Sequence, residues 1–459
     1  MGPDMIFPPH SYDLKAQADS VFRTSGRKAA QHALAAMMGL GTAASSFAIE
    51  FGPDDMFSLK GFGEVTVTRA NNQCPAATCQ LSPETDRQKN WADAIKQGIP
   101  LTRGEEVFSQ TQLWLGANYN LGQGYKLNAS LSQNWRDGKA DVKGFWREKY
   151  IAVSHEYYGT LTAGHMTSRA WQFADYPFGT NLGLSQAWAG TGAAYRNLTN
   201  AIRYTSPVLF VDEGDLVLEA TYDGGSSAFK THKPRFLELW AHYGKGPLSV
   251  DAMYQNTRNG VPSSFGAAAF RSPFYDNIAE GKLGGSGQSV ALLQTVYQLN
   301  PKVELSAAVR HNRWSGAYAV IVKPGPPDDI WNFPFNVDWS GSMNGVPNPG
   351  YAAKSTDFAL GARYRMDKWT FSTGMAYMGK ASTANPSERG QSNSALVNTL
   401  QATYNYGNGW EVSVFGGMIH YRKRGLAPLS MPSNATLSGI DSRVTKAGNW
   451  FGVGAKYQF

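Results

Sequence analysis

The chain contains no run of about eighteen apolar residues, the minimum for a helix that spans a bilayer, so a helical membrane span is excluded. Charge is also scarce. Only 17% of residues are Asp, Glu, Lys or Arg, where about a quarter is usual in a soluble domain. Cys74 and Cys79 are the only cysteines among 459 residues, and no histidine lies close enough to them to indicate a zinc site. In an exported protein they read as a disulfide closing a short surface loop, with free thiols as the alternative. The eight histidines are scattered, without the paired spacing of metal ligands. No Gly-x-Ser-x-Gly elbow, phosphate-binding loop or dinucleotide fingerprint leads from a strand into a helix. The glycine-rich piece Gly281-Lys-Leu-Gly-Gly-Ser-Gly287 runs into a strand and reads as a flexible connection. Catalysis, a cofactor and a resident metal are therefore not expected.

Glycine (49 residues) and aromatic residues (13%) are plentiful, which suits close strand packing and aromatic belts at membrane interfaces. The clearest pattern is the C-terminus. Phe451, Val453, Ala455, Tyr457 and Phe459 alternate with Gly452, Gly454, Lys456 and Gln458, and the chain stops on the ring. A period of two places one set on each face of a strand. Soluble domains seldom end this way, because termini are generally poorly ordered. A barrel in lipid needs its last strand to close on the first, since hydrocarbon leaves no alternative partner for the backbone. The ending, with Tyr457 and Phe459, resembles the assembly signal of bacterial outer-membrane proteins, which implies the barrel assembly machinery as a partner in biogenesis.

The N-terminus reads as an export signal. Arg23, Arg27 and Lys28 precede the small, apolar segment from Ala33, and Ser46-Phe47-Ala48 offers small residues where a signal peptidase reads. The chain thus divides into an N-terminal extension with signal peptide, 1–48, and a barrel domain, 49–459. Val21 is the expected true initiator. Cleavage after Ala48 removes four bases and three acids, taking the formal charge from +7 to +6.

Between these ends one unit recurs: an alternating segment, a short turn, a second alternating segment, then a long polar connection. Short turns are marked at Leu121–Gly124, Tyr158-Gly159, Ser206–Asp215, Gly244–Pro247, Asn300-Pro301, Met366–Lys368 and Tyr406–Gly409. Longer stretches at roughly 70–105, 137–146, 166–199, 224–233, 259–287, 316–353, 379–395 and 423–446 carry the Pro, Gly, Asn, Ser and charge of surface loops. The count is about sixteen strands. An even number, sorted into short turns and long loops, predicts an all-β fold: an antiparallel transmembrane barrel wide enough to leave an aqueous channel. Basic, aromatic-rich segments follow the same alternation, so they belong to membrane strands and no nucleic-acid partner is expected.

Several segments, in order, resemble strands of the Gram-negative general porins. Arg147-Glu-Lys-Tyr-Ile-Ala-Val153 is similar to their RxAYVGL strand, and Gly159-Thr-Leu-Thr-Ala-Gly-His165 to their FGTVTLGRQ strand. Asn200-Ala-Ile-Arg-Tyr-Thr-Ser-Pro207 is similar to NSIRYxSP, and Leu121-Gly-Gln-Gly124 to the LGGG turn. The resemblance is nearest to the beta-proteobacterial type. It implies a homotrimer in the Gram-negative outer membrane, crossing it many times, in contact with outer-membrane lipid and lipopolysaccharide. It also implies a third loop, about 166–199, that folds inward and constricts the pore; a cover over the barrel mouth or a subunit contact is the alternative. The sequence departs from the family where His165 replaces an arginine and where Gln112 stands at an often basic position.

On that reading the constriction comprises Arg147, Arg169, Asp175, Arg196 and Arg203. Arg203 is the firmest, because Ile202 and Tyr204 claim the apolar face and an arginine facing lipid at mid-bilayer costs roughly 2–4 kcal/mol. Arg147 takes the family's basic position, and Asp175 stands across the gap. Arg310, Arg363 and Arg365 fall on inward faces as wall charge or rim positions. Bases outnumber acids in this set, so the expected function is passive diffusion of small hydrophilic solutes and ions with weak anion preference. The alternative is a substrate-selective channel for a sugar, organic acid or peptide, favoured by the tryptophans of the third loop and by Trp331–Trp339. A barrel phospholipase would need a Ser/His pair on the lipid-facing rim, which is not evident. A TonB-type receptor would need a longer chain.

Overall fold

A computed structural model describes residues 48–72, 104–140, 146–169, 197–224, 235–258, 286–316, 353–380, 382–383, 394–422 and 447–459. Sixteen long strands are found among them. The first eight are β1 Phe57–Asn72, β2 Gly104–Gly122, β3 Tyr125–Arg136, β4 Glu148–His155, β5 Gly159–Thr167, β6 Asn197–Thr205, β7 Gly214–Asp223 and β8 Arg235–Lys245. The second eight are β9 Leu248–Arg258, β10 Ser286–Asn300, β11 Val303–Gly316, β12 Ala353–Met366, β13 Trp369–Met378, β14 Ala395–Gly407, β15 Trp410–Tyr421 and β16 Ala447–Gln458. Four two- or three-residue strands, such as Ile49–Phe51 against the start of β1, trim their ends.

Each strand pairs antiparallel with the next. β16 then returns to β1, in register from Phe62 opposite Gln458 to Asn72 opposite Gly448. Phe459 completes the seam: its N–H donates to the Gly61 carbonyl at 3.0 Å and its carbonyl accepts from the Gly61 N–H at 2.8 Å. A closed ring has no edge strand, which is the condition for a sheet to stand in hydrocarbon.

The alternation expected from the sequence sets the two faces. In β7, Leu218, Ala220 and Tyr222 face outward and are exposed, while Glu219, Thr221 and Asp223 face inward and are buried. In β8, exposed Leu237 and Leu239 flank buried Glu238. The barrel is thus apolar outside and polar inside, the inverse of a soluble barrel, and the solvent around it is lipid. Among the described residues no helix is long and apolar enough to cross a membrane; the strands do the crossing.

All seven short turns fall where the sequence marks them. They use residues that tolerate positive φ, as in Gly407-Asn408-Gly409 with φ of 89°, 51° and 83°. Gly409 is required twice over, because a Cβ there would collide with the carbonyl oxygen of Gln458 on the closing strand. Aromatic rings gather at this end: Trp369 with Tyr404 (centroids 4.9 Å apart), Tyr404 with Tyr406 (4.6 Å), and Trp410 with Tyr457 (4.8 Å). They form the belt that anchors a barrel at the lipid–water boundary. The longer connections join strands at the opposite end. The expected signal region, 1–48, lies outside the described residues up to residue 47, as does the Cys74/Cys79 pair.

Candidate functional site

The inward face of β4 to β9 carries an ion-paired cluster built by strand alternation. Arg203 on β6 turns inward, only 6% exposed, between outward Ile202 and Tyr204. Its Nε donates to Thr221 Oγ1 at 2.9 Å and lies 3.1 Å from Glu219 Oε1; its Nη2 donates to the Thr167 carbonyl at 2.7 Å. Glu238 is 3.9 Å away, completing the second ion pair. Arg169, just beyond β5, grips the same glutamate: Nε donates to Glu219 Oε1 at 2.9 Å and Nη2 pairs with Oε2. Its backbone N–H donates to Glu238 Oε1 at 2.6 Å, and its guanidinium sits 5.1 Å from the centre of the Trp240 ring.

Supporting hydroxyls and an amide fill the remaining lone pairs. Thr205 donates to Glu219 at 2.8 Å and Gln255 to Glu238 at 2.6 Å. Beside them, Glu148 accepts from the Ser132 and Thr167 hydroxyls, each at 2.8 Å. Buried ions are costly to desolvate and persist when they are paired and their lone pairs are hydrogen-bonded, as here. β8 extends the column with His242, whose Nδ1 lies 2.8 Å from Asp251 Oδ1 and whose ring stacks against Trp240.

A second cluster lies on β11 and β12. Arg310 donates through Nε and Nη2 to Asp357 Oδ2 at 3.2 and 3.1 Å; both side chains are fully buried. Asn312 and the Gly379 N–H also donate to this carboxylate. Glu304 bridges Arg363 (3.0 Å) and Arg365 (3.1 Å). At the closure seam, Lys456 registers opposite both Glu64 and Glu411 on the inward face.

These positions amend the expectations from the sequence in several ways. Arg147 does not sit on a strand: it occupies the bend before β4, buried, with its N–H bonded to the Ser132 carbonyl. Register pairs Ser132 with Glu148, so the carboxylate and not Arg147 is the first inward residue of β4. Arg169, expected within the third loop, is anchored at its root. His165 stands opposite Lys149 on the outward face, the same side as Leu161 and Ala163, by plain alternation along β5; it does not line the pore. Gln112 does point inward and is buried. Asp175 and Arg196 lie outside the described residues. Glu148, Glu219 and Glu238 were missed, although a readable signal existed. Leu218-Glu219-Ala220 and Leu237-Glu238-Leu239 carry the same apolar bracketing that located Arg203. Among the described residues, no three of His, Cys, Asp or Glu come together to hold a metal ion.

A closed sixteen-stranded barrel, apolar outside and lined by charged and hydrogen-bonding side chains, defines an outer-membrane channel protein. The Gram-negative porin family model matches residues 33–425, and the chain belongs to that family. No curated protein matches the sequence. Among solved structures, the anion-selective porin from Comamonas acidovorans shares the fold at a TM-score of 0.55 and 13% identity, covering 88% of this chain and 99% of that one. The trimer form of in-vitro folded OmpT of Vibrio cholerae aligns at 0.52 and 14% (88% and 99% covered). The outer-membrane channel DcaP of Acinetobacter baumannii aligns at 0.50 and 13% (89% and 99%). At these identities the structures establish the fold alone. The protein is an outer-membrane porin that crosses the membrane many times, and this class is a channel, not an enzyme.

Proposed function

We propose that the barrel acts as a homotrimer whose water-filled channels pass small hydrophilic solutes and ions down their gradients, with weak anion preference. The observation that carries this reading is the inward face itself. Along it, charged and amide groups replace the aliphatic filling of a soluble barrel core, giving passing solutes hydrogen-bonding walls. The weakness of the preference follows from pairing. Arg169 and Arg203 meet Glu219 and Glu238, and Arg310 meets Asp357, so the strand wall contributes little net field. The residual sign comes from the formal charge of the chain, +6 once residues 1–48 are removed. The trimer form known for the Vibrio cholerae OmpT fold supports the oligomeric state. Purified protein in a planar bilayer should open in current steps grouped in threes; absence of conductance would refute the open channel.

A second reading has one specific observation behind it. Arg169 covers the Trp240 ring, with Glu219 and Glu238 alongside, all four buried in the inward wall, so a solute that displaced Arg169 would meet an aromatic face beside two carboxylates. Such a surface suits a small zwitterionic or carboxylated solute. Saturable block of the ion current by one solute class, lost in Trp240→Ala, would move this selective channel ahead of general diffusion.

A further inference from the structure

Away from the Arg169–Trp240 cluster, the inward wall of β1 and β2 carries an aromatic face beside a base. Lys60 on β1 registers directly opposite Trp114 on β2, and both are half-buried. Phe62, the next inward residue of β1, has its ring centroid 6.0 Å from that of Trp114. Lys456 on β16 holds its Nζ 5.3 Å from the centre of the Phe62 ring. Trp240 lies under Arg169 and is 4% exposed, whereas Trp114 keeps part of its surface open to the lumen.

Towards the long-loop end this wall turns to uncharged hydrogen-bonding groups. Gln112 registers between Phe62 and Asn134, and Gln110, one inward step further, stands opposite Glu64. Thr66 follows Glu64 on β1. Successive inward residues of a strand are ~6.6 Å apart, so the column from Trp114 to Gln110 runs about 13 Å. Thr66 and Gln110 are 1% and 2% exposed, yet neither Thr66 Oγ1 nor Gln110 Oε1 has a hydrogen-bond partner among the described residues. Burying a polar atom unpaired costs free energy, so a ligand hydroxyl that reaches it gains more than the same bond yields in water.

These groups select a ligand jointly. An indole face accepts the apolar C–H face of a sugar ring, amides and hydroxyls accept its rim of hydroxyl groups, and an ammonium accepts a carboxylate. Glu64, half-buried and registered between Gln110 and Lys456, adds a further acceptor for hydroxyls. We propose that this wall binds an acidic saccharide, a hexuronate or its short oligomer. Its ring lies on Trp114, its carboxylate on Lys60, and its hydroxyls on Gln112, Gln110 and Thr66. The site presupposes the solute channel proposed above and names one solute class that the channel retains. A neutral sugar leaves Lys60 without its anion, and a simple carboxylate leaves the amides unpaired; sites built to bond hydroxyls reject analogues that lack them.

The test uses the full-length folded protein and galacturonate as the probe, read as saturable block of the ion current in a planar bilayer. Lys60→Gln and Trp114→Leu should each raise the half-blocking concentration by about tenfold, and Gln110→Leu by severalfold. Ser372→Ala, an inward hydroxyl on β13, should leave it unchanged. Heat-modifiable migration of each variant establishes that the barrel is folded. Galactose and benzoate should block at least about tenfold more weakly than galacturonate. Equal block by galactose would remove the role of Lys60, and equal block by benzoate that of the amides; either overturns the assignment. So would equal block of wild type and the Lys60 and Trp114 variants. A wild type without conductance would refute the channel alone, because isothermal titration of galacturonate into the same protein in detergent still reads the site. Absence of binding heat there would overturn it.

Discussion

Arg203 and Glu219 define the chemistry of the pore wall at the scale of single residues. Both obey the same rule, that a charged residue between two apolar neighbours on a strand takes the face away from lipid; it located Arg203 in the sequence, and applied to Leu218-Glu219-Ala220 it would have located Glu219. Glu219 serves Arg169 and Arg203 together, so Glu219→Gln removes one negative charge while leaving both guanidiniums in place. The reversal potential under a potassium chloride gradient should then shift toward anions relative to the parent protein; an unchanged potential would mean that this cluster does not face the ion path. Arg310 and Asp357 make the stability counterpart. With both fully buried, Arg310→Met strands a carboxylate and should cost about 3–5 kcal/mol, read as a lower urea midpoint for unfolding, whereas adding Asp357→Leu should restore most of it.

Strands and turns were the most legible level of the sequence. Period-two alternation and glycine-marked turns located all seven short turns, because each rests on local physics: side-chain direction and positive φ. What is not local escaped. Arg147 was read as a strand residue because the family resemblance puts a basic residue there; in the fold it lies in the bend before β4, its N–H held by the Ser132 carbonyl of β3. Pairing partners on different strands, such as Glu238 with Arg203, become visible only when register is known. The lipid face offers a direct check of alternation. Val453 on β16 is 49% exposed on the outward face and Ser413 on β15 points inward. Val453→Arg should lower the stability of the barrel in vesicles by roughly 2–4 kcal/mol, while Ser413→Arg should be tolerated. Equal costs at the two positions would contradict the assignment of faces.

For the whole molecule, closure governs everything else. The β16–β1 ladder and the two hydrogen bonds between Phe459 and Gly61 remove the last free edge, which is why an aromatic-ended alternating strand at the C-terminus announced the architecture. A wide polar lumen follows from sixteen strands, and the weak selectivity we propose rests on a wall whose charges are paired. The reversal potential of purified protein in a planar bilayer, measured under a tenfold potassium chloride gradient, tests this most directly. The account predicts conductance in steps of three with a small potential of anionic sign. A strongly cation-selective potential would contradict it, because the wall carboxylates would then be acting unpaired.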